Sequence, residues 1–138
     1  MSGFSQAYAT KTLEHVSGKK ELALPVMRLA LLTVVPMNSN TGATITEASY
    51  TGYARREVPA SLLNSAVAGT PSSINNNAGF TFAACTGGTS TIIAWAACDN
   101  KETAKGNVIM WGTAASTVIS TTQTPASIAE SVLQLTLV

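Results

Sequence analysis

Few side chains in this sequence have the type and spacing that chemistry requires. Residues 92–112, IIAWAACDNKETAKGNVIMWG, put Cys98 and Asp99 at the edge of a tip holding Asp99, Lys101, Glu102 and Lys105, four of the charged residues in the chain. A thiol becomes a nucleophile when a base lies within hydrogen-bond reach, yet the one histidine, His15, is far away in sequence. His15 falls in a segment read as a helix, near the border of its two sides, where a hydrogen-bonded structural role is expected. No nucleophile-elbow sequence accompanies it. The seven acids are Glu14, Glu21, Glu47, Glu57, Asp99, Glu102 and Glu130, and their spacing singles out no pair of the kind glycoside hydrolysis uses. The glycines of TGGTS precede a strand and not a helix, so they form no phosphate cradle. Catalytic, cofactor-binding and metal-binding residues are therefore all expected to be none, and the chain is not expected to be an enzyme or to carry a cofactor.

Cys85 and Cys98 match no metal-ligand spacing. In a cytosolically made chain they are expected reduced and buried, although neighbouring strands could bring them together and a bridge stays open. Trp95 and Trp111 could stack on sugars or bases, but a single-strand nucleic-acid platform also needs a basic groove. The net charge of +1 does not supply one. The largest basic clusters, Lys19-Lys20 and Arg55-Arg56, read as a solvated loop and a strand edge. No nucleic-acid partner is expected, and both indoles read as core or interface packing. The longest apolar stretch, Leu22 to Val35, is interrupted by Pro25 and Arg28 and falls short of the roughly 20 residues that span a bilayer. No membrane partner is expected. MSGFSQAYATKTLEH lacks the basic start and apolar core of a secretory signal, so export by that route is not expected either.

The elements that would position these residues follow from composition and period. A chain of 138 residues fits one domain, 1–138, and at that size roughly 68% of the unfolded surface can be buried. Only 11% of residues are charged, against about 25% in an average globular protein. The surface is then built from hydroxyls and amides, which hydrate weakly and favour association. Residues 2–18 read as a helix, with Ser2 as cap and Gly18 as stop. Tyr8, Ala9, Thr12, Leu13 and Val16 fill the broad side meant for packing, and Ala7, Lys11 and Glu14 lie opposite.

From residue 26 to 138 the signals are β. VMRLALLTVV (26–35) is apolar on both faces and suits a central strand, with the helix as one cover. GYARREV (52–58) alternates Tyr53, Arg55 and Glu57 against Ala54, Arg56 and Val58, and an exposed pair along such a face contributes about 0–1 kcal/mol. ASLLNSAVAGTPSS is open between a helical turn and a long loop. SINNNAGFTFAAC reads as a strand with Phe80 and Phe82 on one face. In the opening hairpin, Ile93, Trp95 and Ala97 oppose Ile92, Ala94, Ala96 and Cys98, while Val108 and Met110 oppose Ile109 and Trp111. Asp99-Asn100 reads as turn chemistry. Thr113 to Thr122 is a Thr/Ser-rich strand-and-turn region, and VLQLTLV, with Leu133, Leu135 and Leu137 alternating, is a terminal strand. The fold class expected is mainly β: an antiparallel β-sandwich (26–138) with one N-terminal α-helix (2–18).

The order of these pieces resembles a family of small virion proteins of tailed bacteriophages, the head-decoration and tail-fibre-like proteins. The matching pieces are MSGFS opening a helix to LEHV, RLALLTVVP, GYARREV, INNNAGFTF, WAACDNKETAKGNVIMWG and a C-terminal strand. The resemblance implies a structural, non-enzymatic virion component assembled in the host bacterial cytoplasm. It implies either a capsid decoration (cement) protein, a homotrimer on the major capsid protein that stabilises capsomer contacts, or a tail-fibre or tail-tip module that touches the host, with carbohydrate binding as one means. A fibre shaft normally needs repeats or a coiled coil. The sequence has neither, so shell decoration is the expectation. The helix and the loops around 37–50 and 60–77 are the expected contact regions.

Overall fold

The computed structural model describes residues 2–23, 25–69 and 71–137. The parts of the expected segments that fall on Met1, Leu24, Thr70 and Val138 lie outside it, as do the side chains of Ser2, Gly3 and Leu137. In chain order the elements are β1 (Ser2–Phe4), α1 (Gln6–Val16), β2 (Met27–Leu32), β3 (Arg56–Val58), a 3₁₀ turn (Ala60–Leu62), β4 (Ser72–Asn75), β5 (Phe80–Thr81), β6 (Thr89–Cys98), β7 (Val108–Ser120), β8 (Ser127–Ile128) and β9 (Gln134–Leu137). Five strands form one antiparallel sheet in the order β1-β7-β6-β2-β3. Two antiparallel ladders, β4-β9 and β5-β8, form the second layer.

The sheet is buried on both faces, which is why β2 reads as an unbroken apolar run. Leu29, Leu31, Val58, Ile92 and Ile119 pack with Phe80, Phe82 and Leu133 of the ladder layer. Ala30, Leu32, Ala94, Ala96, Cys98, Val108 and Trp111 pack on the opposite face with Ile45. The mainly β, antiparallel expectation with one helix holds, and the pairing of Phe80 with Phe82 holds too, their ring centroids lying 6.5 Å apart.

Several local expectations change. The helix expected over 2–18 spans only Gln6–Val16, because Ser2–Phe4 pairs with Met110–Gly112 of β7. Ser5, not Ser2, is the cap: its hydroxyl accepts from the Tyr8 N–H at 3.3 Å and donates to the Val108 carbonyl. Its own N–H reaches Ile109 O at 3.0 Å. Gly18 does stop the helix, at φ +70°, where its N–H donates to His15 O and the Lys19 N–H to Glu14 O. The helix lies beside β7 and does not cover β2.

Alternation in the hairpin is broken twice. Between Ile92 and Ala94 the partner jumps from Thr117 to Thr113, and between Ala97 and Cys98 it jumps from Met110 to Val108. Each bulge moves a side chain to the other face. Ile92 therefore joins the ladder-side core instead of Ala94, and Val108 shares a face with Trp111 instead of Met110. The strand-and-turn region expected over 113–122 is the continuation of β7 to Ser120 followed by a turn at 121–122. SINNNAGFTFAAC is two strands, divided at the fully buried Asn76. The Asn76 amide donates to Ala78 O and Ala129 O, both at 2.8 Å, and its oxygen accepts from the Leu133 N–H at 2.9 Å.

Candidate functional site

The hairpin tip, where sequence chemistry is concentrated, is a locked turn. Asp99 Oδ1 accepts from the Asn107 N–H at 2.7 Å, and Oδ2 accepts from Asn107 Nδ2 at 2.9 Å and from the Tyr8 hydroxyl at 3.2 Å. Lys11 Nζ lies 4.0 Å from the same oxygen and 4.4 Å from the Tyr8 ring centroid. Burial opposes the charge of Asp99, but these hydrogen bonds and Lys11 outweigh it and hold the carboxyl below its usual range. Desolvation, and then Asp99 itself, push the Tyr8 phenol up. Asn100 Oδ1 accepts from the Glu102 N–H at 2.9 Å, the Asx turn expected of Asp99-Asn100.

Cys98 is fully buried, and desolvation pushes its thiol up to about 12. It is protonated at neutral pH and is no nucleophile. Cys85 is half-buried, and both cysteines are free. His15 keeps the structural role expected of it, its Nδ1 accepting from the Leu22 N–H at 3.2 Å.

Beneath the tip sits a buried ion pair whose arginine, Arg55, the sequence places at a strand edge. Arg55 and Glu47 have side-chain exposures of 0% and 4%, with Arg55 Nη2 to Glu47 Oε1 at 2.7 Å. Arg55 does not pair along its strand with Glu57, which instead bonds Arg28 across β2-β3. The guanidinium also donates to three backbone carbonyls, Asn100 and Lys105 at 2.9 Å and Gly42 at 3.1 Å. Glu47 accepts in addition from the Tyr53 hydroxyl at 2.7 Å and from the Ala104 N–H at 3.2 Å. Planar Arg donors suit such a fork of carboxylate and carbonyls. The pair thus binds the 42–47 loop, the start of β3 and the tip into one unit. Part of the expected contact loop 37–50 is for this reason internal: Ile45, Ala48 and Tyr50 are core residues.

The tryptophans divide. Trp111 is buried, and its Nε1 donates to Asn38 Oδ1 at 3.0 Å. Trp95 is half-buried and lies against Gly112, where a Cβ would come within 2.7 Å of the indole. It borders a half-open cavity of about 180 Å³ with Leu31, Phe82, Ala114, Ala115 and Ile128 among its lining. That lining is mainly apolar, with Thr117 and Ser127 the hydroxyl-bearing residues in it. Among the described residues no cluster of three or more His, Cys, Asp or Glu can hold a metal ion.

A family model described as "Podophage GP4 fiber I protein gp80" matches residues 3–136. The chain belongs to this family. It is a virion protein family of tailed phages, fibre-like in description, and membership implies a virion location. No curated protein matches the chain. Apart from the first two residues of MSGFS, the internal pieces on which the family resemblance rests lie within the matched span. Sequence reasoning missed Arg55 with Glu47, and the buried Asn76. The unusual run Arg55-Arg56 in a charge-poor chain was the one signal for the former.

Proposed function

We propose that the chain is a non-enzymatic structural component of a phage tail fibre. The observation that carries this reading is the match of the fibre protein family over residues 3–136. Shell decoration, favoured by the absence of repeats and heptads, gives way to it because the matched family is described by a fibre. A fibre built from several chains needs no shaft motif in each of them. The fold suits the role: Arg55, Glu47 and Asp99 at the hairpin tip are turned inward onto the protein's own backbone and side chains, leaving a stiff module that binds by surface shape. Contact with the host through carbohydrate is not favoured, since Trp111 is buried and the cavity beside Trp95 is mainly apolar.

Quantitative mass spectrometry of purified virions tests the placement. A copy number comparable with that of other tail proteins supports a fibre component. A copy number that scales with the capsomers of the head overturns it.

A further inference from the structure

Residues 121–132, TTQTPASIAESV, hold few side chains that could pin them to the body. Ala126 and Ile128 are half-buried against the ladder-side core, and the others are exposed. Pro125 has no N–H to donate. Burial of apolar surface is the main force that fastens a segment to its core, so this stretch must be held by its backbone. It leaves β7 just after the buried Ile119 and ends at the buried Leu133, just before β9.

The backbone is held at two places. The first is short: Phe80–Thr81 pairs with Ser127–Ile128, and the Phe82 N–H donates to Ala126 O at 2.8 Å. The second is Asn76, fully buried and directly after β4. Four of its five hydrogen bonds go to residues 129–133. Its Nδ2 donates to Ala129 O at 2.8 Å, and its carbonyl accepts from the Ser131 N–H at 2.9 Å. Its Oδ1 accepts from the Leu133 N–H at 2.9 Å, and its own N–H donates to Leu133 O at 3.3 Å. Ser131 has φ +62°, a conformation that costs free energy outside glycine and persists only where its surroundings impose it. Asn76 imposes it here.

Beneath the segment the core is incomplete. Ala126, Ser127 and Ile128 line the half-open cavity together with Phe82, Ile92, Trp95 and Ile119. A wall over a void has fewer contacts to lose on moving than one set on a packed core. Little apolar burial and few backbone bonds are the marks of a unit that opens by itself. We propose that residues 121–132 are a strap that opens as one unit over this cavity, with Asn76 as its latch. Opening turns the half-closed space into an exposed apolar surface that includes Phe82, Ile92 and Ile119. The Arg55–Glu47 cluster leaves the strap free to do so, because its bonds run to residues 42, 53, 100, 104 and 105. The inference concerns the isolated chain and does not depend on the placement in a fibre.

Amide hydrogen exchange of the purified full chain, followed by NMR at rising low urea concentrations, tests it. In the wild type the Phe82 and Ser131 amides are expected to exchange at least about tenfold faster than those of residues 94–97 in the sheet, by an opening that urea hardly promotes. Asn76→Ala removes the side-chain bonds but the acceptor of neither amide, since these are Ala126 O and the Asn76 backbone carbonyl. Both amides are nevertheless expected to exchange about ten to a hundred times faster in the variant, because the latch and the β5-β8 ladder open together. Wild-type Phe82 and Ser131 amides that share the protection and the urea dependence of residues 94–97 overturn the strap. An unchanged Phe82 rate in Asn76→Ala overturns the latch. Should the variant not fold, the wild-type urea dependence decides alone: Phe82, Ser131 and Leu133 sharing one weak dependence supports the proposal, and three separate ones overturn it.

Discussion

Replacing Arg55 by methionine keeps most of the side-chain volume but removes the donors at the centre of the tip. Glu47 would then be a buried carboxylate left with the Tyr53 hydroxyl and the Ala104 N–H, and the carbonyls of Gly42, Asn100 and Lys105 would lose a partner. Breaking a buried ion pair from one side costs about 3–5 kcal/mol. The carbonyl losses do not add in full, because a loosened tip lets water reach them. A domain of this size loses about 3–4 °C in melting temperature per kcal/mol, so Arg55→Met is expected to melt about 10–20 °C lower. Glu47→Gln, which keeps a neutral acceptor, should cost less. In the double variant the two losses should overlap by about 1–3 kcal/mol, as expected for residues in direct contact. Thermal and urea unfolding of the four proteins, with hydrogen exchange read at residues 99–107, checks the whole cycle. A loss below about 1 kcal/mol for Arg55→Met, the level of an exposed pair, would mean that the pair does not hold the tip.

Gly112→Ala puts a Cβ 2.7 Å from the Trp95 indole, and the displaced ring should cost about 1–3 kcal/mol and shift the tryptophan emission. The Cys98 thiol, at about 12 against an ordinary 9.0, stays protonated in the folded chain while the unfolded chain ionises. Stability should therefore fall as pH rises from about 9 towards 12, and Cys98→Ala should flatten part of that slope in urea titrations; the buried tyrosines, also raised, keep the remainder. Asp99 has the opposite sign: its carboxyl is held below 3.8, so its contribution is present above that pH and is lost as pH falls through its folded value. Asp99→Asn should show a flatter acid limb in thermal melts between neutrality and pH 3 than the wild type.

Much of the fold was legible because it rests on local period. Leu29 to Leu32 read as a doubly buried strand because both faces of β2 are covered, and Cys98 read as a buried thiol because it continues the small apolar face of Ala94 and Ala96. What escaped depends on partners distant in sequence or on one extra residue in a strand. Extra residues in β7, at Ala114–Ser116 opposite Ile93 and at Ile109, reset the alternation, and no composition signal marks them. Arg55 reads as a surface charge until folding brings together carbonyls at residues 42, 100 and 105. The helix was seen but its orientation was not, since a wheel cannot know that Tyr8 bonds to Asp99 across the molecule and takes Lys11 with it. The absence of a reactive constellation was a reading from spacing, and the tip shows how its acids are otherwise engaged.

The placement in a fibre is tested most directly by a reconstruction of the intact virion into which this chain is fitted. The expected result is density for the five-stranded sheet and the helix beside β7 in a fibre attached to the tail machinery. Density for the same fold distributed over the capsomers of the head, and missing from the tail, would contradict it.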